Sequence, residues 1–287
     1  GKILFDLYAQ TGDERYKIAM DTLRKQMAEQ PRTSEGGFWH KLRYLHQMWL
    51  DGIFMASPYL VQYGATFNEP ALFDEATKQI LLINSKTYDP ATGLFYHGWD
   101  ESREQKWSNP ETGCSPNFWS RSIGWYGAAI VDVLDFLPQE TAGRDSIILI
   151  LQGLAKAIVK YQDPQSGTWY QVTDQGAREG NYLESSATAL FIYTLAKAIN
   201  KGYIGNEYIE PTQKAFDGMV KTFTRLEEDG SYTITNCCAV AGLGGDSKRY
   251  RDGSFEYYIS EPIIENDPKS IGSFILAAIE YEKMTKK

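Results

Sequence analysis

Apolar residues recur at helical spacing in nine segments of the 287-residue chain, at about 2–9, 13–30, 44–63, 69–86, 117–137, 142–162, 182–200, 207–225 and 268–284. Strand-like runs are few and short, so the pattern predicts an all-α fold. Short polar turns join the helices in pairs: "TGDE" at 11–14, "GATFNEP" at 64–70, "LPQETAG" at 137–143 and "KGYIGNE" at 201–207. Between pairs lie longer loops of a shared kind, "SEGGFWHK", "DPATGLFYHGW", "DPQSGTWYQV" and "EEDGSYTI", each with a glycine close before aromatic residues. Those glycines, Gly37, Gly93, Gly167 and Gly230, are 56, 74 and 63 residues apart, too irregular for a fixed-period solenoid.

Helix, short turn, helix, long loop is the order an (α/α) toroid requires. Inner and outer helices alternate there, and every long loop arrives at one end, where a rigid scaffold usually carries its chemistry. Six hairpins, twelve helices, close an (α/α)6 barrel. Nine segments therefore predict a barrel lacking about three N-terminal helices before Gly1. No Pro/Ser-rich linker, charge run or low-complexity segment divides the chain, so residues 1–287 read as one N-terminally incomplete barrel domain.

Composition narrows the classes. An apolar fraction of 43% supports a sizeable core. Aromatics reach 14%, with 7 Trp and 19 Tyr, which suits sugar-stacking platforms and equally a large helical core. A net charge of −8 argues against nucleic acid and anionic membranes as partners. No apolar run is long enough to span a bilayer, and residues 1–15 do not resemble a signal peptide. The three cysteines, Cys114, Cys237 and Cys238, form neither a disulfide framework nor a zinc-ligand pattern, so reduced thiols and a cytoplasmic location are expected. Opening directly in helix-like sequence, the chain also suggests that something upstream has been removed.

The stretch "FWHKLRYLHQMWLDGIFM", residues 38–55, carries an acid, Asp51, in an otherwise apolar and aromatic setting. On a helix over 44–63, Tyr44, Met48, Asp51 and Met55 share one face. Burial there raises a carboxyl pKa, which suits proton donation near neutral pH. The alternative, an Asp held by hydrogen bonds at a helix end, is equally compatible with the residues. His40 and His97 occupy matching places in two Gly-aromatic loops and should meet at one barrel end, whereas His46 should pack or cap. No two histidines have helical metal-ligand spacing, and the HExxH, P-loop, GxGxxG and nucleophile-elbow patterns are absent, so neither metal nor cofactor is expected.

Trp119, Arg121 and Trp125 form a W-x-R-x-x-x-W pattern, a guanidinium for a carboxylate between two indoles for a sugar ring. The plainer reading is an Arg beside core tryptophans. Asp100, in the polar "HGWDESR", is a rival acid for which a surface salt bridge is expected. "GLGG" at 242–245 is a weak signal. "DGSFEYYISEPIIENDPKSIG" reads as an ordered loop feeding the last helix, with Asp267 or Asn266 as N-cap and Pro268 at the first helical position.

Together "GGFWHK", "QMWLDG", "GCSPNFWSRSIGWY" and "EYYISEPIIENDPKSIG" resemble glycoside hydrolase family 105, the unsaturated rhamnogalacturonyl hydrolases, and the similarity runs in order from residue 1 to about 284. The resemblance implies an (α/α)6 barrel acting on a 4,5-unsaturated galacturonyl residue linked to rhamnose, a pectin-derived oligosaccharide. It implies Asp51 as the acid that protonates C4 and then, as base, activates the water adding at C5. His40, Lys41, Trp49, His97, Trp119, Arg121 and Trp125 are implied to line the pocket, with Arg121 facing the uronate carboxylate. It also implies a second active-site Asp just before "GKILFDLY", ahead of residue 1, which leaves an inactive fragment among the expectations. A monomer or homodimer is expected. Rival readings are an unsaturated glucuronyl hydrolase, a non-catalytic sugar-binding toroid, and an epimerase using His40 and His97; "GWY" after Arg121 and "SEPIIEND" favour the pectin branch.

Overall fold

The computed structural model describes residues 1–245 and 250–286. Each of the nine predicted helices is present. In chain order they are α1 (Ile3–Thr11), α2 (Glu14–Glu29), α3 (Leu50–Phe67), α4 (Ala71–Thr87), α5 (Ser120–Val133), α6 (Arg144–Lys160), α7 (Ser185–Asn200), α8 (Ile209–Phe223) and, after a short α9 (Phe255–Ser260), α10 (Pro268–Thr285). Three two-stranded antiparallel ladders sit in the long loops: β1 (Gln47–Trp49) with β2 (Gly98–Asp100), β3 (Thr224–Leu226) with β4 (Tyr232–Ile234), and β5 (Cys237–Cys238) with β6 (Ile263–Ile264). No closed sheet occurs among the described residues.

The helices form two layers. α3 packs on α5, α5 on α7, and α7 on α10, while α4 covers α3 and α8 covers α7. α5 and α7 are buried along almost their whole lengths, whereas α4, α6 and α8 each keep an exposed face. Close approach of α5 to α7 depends on missing side chains. A Cβ on Gly124 would lie 2.7 Å from Leu190 Cβ, and one on Gly127 would lie 2.8 Å from Thr194 Oγ1. Inner helices run in the same direction. Arg121 at the start of α5 bonds Ser186 at the start of α7, and Asp132 near the end of α5 is bonded by Lys197 late in α7. Their first turns therefore share one end, and the long loops arrive there.

Two of those loops repeat one turn. In "DPATG" the Asp89 carboxylate accepts from Thr92 N and the Gly93 amide donates to Asp89 O; in "DPQSG" Asp163, Ser166 and Gly167 repeat it. Gly93 and Gly167 close these turns at φ 81° and 75°, where a side chain is strained.

One helix expectation fails at its start. Residues 44–49 are not helical: Gln47–Trp49 is strand β1, and α3 begins at Leu50. His46 takes φ 59°, a left-handed conformation that breaks a helix, and the Leu50 amide donates to His97 O at 3.0 Å. Tyr44, Met48 and Asp51 therefore share no helix face, and Asp51 lies in the first turn of α3. The segment expected as a plain loop before the last helix contains α9, capped by Ser254 Oγ, which accepts from Tyr257 N. Asp267 caps α10 and Pro268 opens it, as expected.

At the far end of α5 and α7 the Asp132 carboxylate is buried. Lys197 Nζ donates to it at 2.7 Å, Lys2 Nζ at 2.5 Å, and the Tyr193 hydroxyl also bonds it. Lys197 further pairs with Asp135 at 2.6 Å. Burial pushes the Asp132 carboxyl up, but Lys197 and Lys2 outweigh burial and hold it below the usual range. No described helix is long and apolar enough to cross a membrane. Replacing Lys197 with Met should cost about 3 kcal/mol at pH 7, because it removes the buried cation from a buried carboxylate and leaves only the partly exposed Lys2 to pair with it. The folded-state pKa of Asp132 is depressed, so its contribution is present above about pH 4 and is lost as pH falls through the folded value. Urea denaturation of both proteins should show a gap that closes in acid; Lys2→Met, at a 40% exposed side chain, should cost less.

Candidate active site

Asp51 enters the first turn of α3, where unpaired backbone N–H groups and the helix dipole favour negative charge. Its side chain is 16% exposed. Oδ2 lies 3.1 Å from Nε2 of His97, which is fully buried. That contact is close but poorly aligned, so neither atom has a well-formed hydrogen bond. On its other side, His97 Nδ1 is 2.8 Å from the Tyr258 hydroxyl. Ladder β1–β2 explains why the pair meets: Trp49 stands opposite Gly98, with Asp51 two residues after one and His97 one residue before the other.

Aromatic rings wall the pair. Trp49 stacks on His40 at 4.2 Å and 12° and on Tyr44 at 4.7 Å, and it meets His97 edge-on at 5.3 Å. His97 lies 4.7 Å from Trp119, which stacks on Tyr258 at 5.9 Å. A cavity of about 320 Å³ adjoins the first turn of α3, lined by Trp39, His40, Lys41, Met48, Trp49 and Met55 among others. Lys41 is exposed, with Nζ 5.9 Å from the centre of the Tyr44 ring. Trp125 is partly exposed and packs on Phe54 at 4.5 Å.

Trp119 and Arg121 stand behind this wall. Trp119 is 1% exposed, and its Nε1 donates to Gln171 Oε1 at 3.1 Å. Arg121, also 1% exposed, lies over the Trp119 ring at 4.8 Å. Its Nη1 donates to Cys238 O at 2.5 Å and Ser186 Oγ at 3.2 Å, and lies 3.8 Å from Glu184 Oε1. Glu184, which sequence reasoning missed, is the buried N-cap of α7; it accepts from Ala187 N at 2.6 Å and Cys238 N at 2.9 Å. The guanidinium is thus sealed against a carboxylate of this chain and does not line the cavity next to α3.

Electrostatics revise one expectation. Burial alone pushes the Asp51 carboxyl up, yet the adjacent His97, with a smaller effect from His40, outweighs it and holds the group below the usual carboxylate range. Burial pushes His40 down to about 4, so that ring is neutral at pH 7. The rival acid is not the surface residue expected. Asp100 is fully buried, and its carboxylate accepts from Ser102 N at 3.1 Å, Ser102 Oγ at 2.7 Å and Gln105 N at 3.0 Å. Three donors make it the organiser of the 100–105 turn. His46 packs its ring 4.8 Å from Trp39. Tyr258 was also missed, although "EYYISEP" was recognisable as a motif. All three cysteines are buried and unpaired, and no group of three His, Cys, Asp or Glu among the described residues is arranged to hold a metal ion.

Residues 1–285 match the model of Glycosyl Hydrolase Family 88. A family 105 glycoside hydrolase from C. acetobutylicum superposes with a TM-score of 0.95 at 44% identity, covering 98% of this chain and 78% of that one. Protein Atu3128 of Agrobacterium fabrum is 37% identical over 230 residues, 79% of this chain and 97% of its own length. The unsaturated rhamnogalacturonyl hydrolase YesR of Bacillus subtilis is 27% identical over 239 residues, 80% of this chain and 63% of its own. Matched over nearly its whole length, and with a helical toroid architecture in common with these neighbours, the chain belongs to the glycoside hydrolases of families 88 and 105.

Proposed function

We propose that the chain hydrolyses unsaturated galacturonyl-rhamnose disaccharides by hydrating the C4=C5 double bond, with Asp51 as general acid and then base. The observation that carries this reading is the Asp51–His97 pair: a carboxylate oxygen buried without a well-aligned partner, against a stacked aromatic wall whose Trp49 and His40, with Gly52 and Ile53 next to Asp51, line a cavity. Protonated Asp51 gives its proton to C4 of the vinyl ether. The carboxylate so formed takes a proton from water as the water oxygen bonds C5. Breaking the ring C5–O bond of this hemiketal leaves a ketone at C5 and a hemiacetal at C1, which collapses to an aldehyde and releases the neighbouring sugar. One water is consumed, and Asp51 ends as it began. A single carboxylate suffices, so the two-carboxylate spacing of ordinary glycosidases does not apply.

The remaining residues divide by position. His40, Lys41 and Trp49 line the cavity and, with the partly exposed Trp125, would meet the sugar: indole faces for the ring, and Lys41 with the α3 N-terminus for the uronate charge. His97 holds Asp51. Trp119 and Arg121, sealed behind, keep His97 and the start of α7 in place and contribute positive potential at longer range. An anionic substrate beside Asp51 raises the pKa of the carboxyl and so favours the proton the first step needs. The rhamnogalacturonyl hydrolase among the relatives and the family 105 neighbour support the pectin-type substrate over a glucuronyl one. The three unpaired thiols suit a cytoplasmic setting.

Asp51→Asn keeps the shape and removes proton transfer, so turnover should fall at least about 100-fold, the usual worth of general acid–base catalysis. Loss of vinyl-ether absorbance on an unsaturated rhamnogalacturonyl disaccharide measures this, and a glucuronyl disaccharide tested alongside separates the two substrate classes. Asp100→Asn should loosen the 100–105 turn and lower thermal stability while turnover stays within about threefold. An active Asp51→Asn enzyme, or an Asp100→Asn enzyme that is folded and dead, would overturn the assignment.

The depressed Asp51 pKa also sets a pH dependence. The form that starts the reaction is protonated, and above the pKa its population grows about tenfold for each pH unit removed. kcat/KM should therefore rise as pH falls from 8 toward 5. A flat or rising profile toward alkali would contradict protonation as the first step.

A further inference from the structure

Tyr258 has no place in the reaction above, yet it is fixed more firmly than its position in a six-residue helix requires. The side chain is fully buried. Its ring stacks on Trp119 at 13°, and its carbonyl accepts from Gln171 Nε2 at 3.1 Å. The hydroxyl has one described partner, His97 Nδ1 at 2.8 Å. Burial above all, helped by Tyr257 and Asp51, keeps this group a phenol well above the ordinary range. A phenol has one proton to give, and Nδ1, 2.8 Å away, is the described acceptor within reach.

A neutral imidazole carries one N–H. If Nδ1 accepts from Tyr258, the ring proton sits on Nε2, the nitrogen 3.1 Å from Asp51 Oδ2. We propose that Tyr258 is a positioning residue: by donating to Nδ1 it fixes His97 in the Nε2–H tautomer, which presents an N–H to Asp51 Oδ2 at 3.1 Å and leaves Oδ1 as the oxygen that carries the catalytic proton. This rests on the reading of Asp51 as the acid. Without the phenol, the other tautomer becomes accessible. Nε2 would then accept, and the proton of Asp51 would be trapped between Oδ2 and the ring instead of facing the sugar. The other groups whose charge reaches this pair are His40, with Lys41 beside it, and Arg121; around Tyr258 they are Tyr257, Cys238 and Asp252. None of them bonds Nδ1 among the described residues.

The test uses ¹⁵N NMR of the histidine side chains, which is simple with only 3 histidines in the chain. At pH 7 and without substrate, His97 should show a protonated Nε2 and a bare Nδ1. Tyr258→Phe keeps the ring and its stacking, and should produce a mixture of tautomers or the Nδ1–H form. In the same variant kcat should fall about tenfold with KM little changed, and the apparent pKa governing kcat/KM should rise by about half a unit or more, as expected for loss of a tautomer-fixing bond at an acid–base site. A wild-type His97 that is Nδ1–H or doubly protonated at pH 7 would overturn the proposal, whatever the variant does. So would a folded Tyr258→Phe protein with unchanged nitrogen shifts and an unchanged pH profile. Because the shifts are read without turnover, they stand or fail separately from the Asp51→Asn measurement that tests the reaction.

Discussion

Gly124 and Gly127 bring α5 so close to α7 that neither position has room for a Cβ beside Leu190 and Thr194. Once these two helices are locked side by side and in the same direction, their first turns must lie together, and the polar groups at those turns must be satisfied locally or left facing a cavity. Glu184 does the first for α7, accepting from Ala187 N and Cys238 N. α3, packed on the other flank of α5, brings Asp51 to the same end. Thus a steric constraint in the middle of the barrel determines which charges meet at its mouth.

The buried acids show how unusual Asp51 is. Asp132 has two lysines and a tyrosine, Glu184 has backbone donors and a guanidinium, and Asp100 has three donors from its own turn. Each is treated as a buried charge must be if the fold is to tolerate it. Asp51, in contrast to these three, has a carboxylate oxygen buried without an aligned hydrogen-bond partner, 3.1 Å from the His97 ring. Local rules of satisfaction are commonly relaxed where function needs an unspent group.

Much of this was legible in the sequence, because helical periodicity survives without knowledge of neighbours. Nine apolar segments became nine helices, and Asp267-Pro268 was readable as a helix start because capping is a local affair. Failures fell where long-range contacts decide. Tyr44, Met48 and Asp51 have helical spacing, but residues 47–49 pair with 98–100, and that distant partner strand holds them extended. Asp100 sits in a charged stretch yet folds inward onto its own turn. Arg121 was seen with its two tryptophans but not with Glu184, 63 residues on. The depressed pKa of Asp51 likewise needs His97, 46 residues away in sequence and 3.1 Å away in space.

Ladder β1–β2 joins two loops that the barrel itself holds separately, and its last link runs from the Leu50 amide, adjacent to Asp51, to the carbonyl of His97. The mutual placement of acid and histidine is therefore written in backbone hydrogen bonds, not only in side-chain packing. Substitutions in the helical core can shift the barrel as a whole and still carry the two residues together. Conversely, an opening confined to these few residues separates them at once, while the helices stay folded. The barrel and its candidate site can thus melt as distinct cooperative units, and a protein that is fully helical by spectroscopy need not be one whose candidate site is assembled.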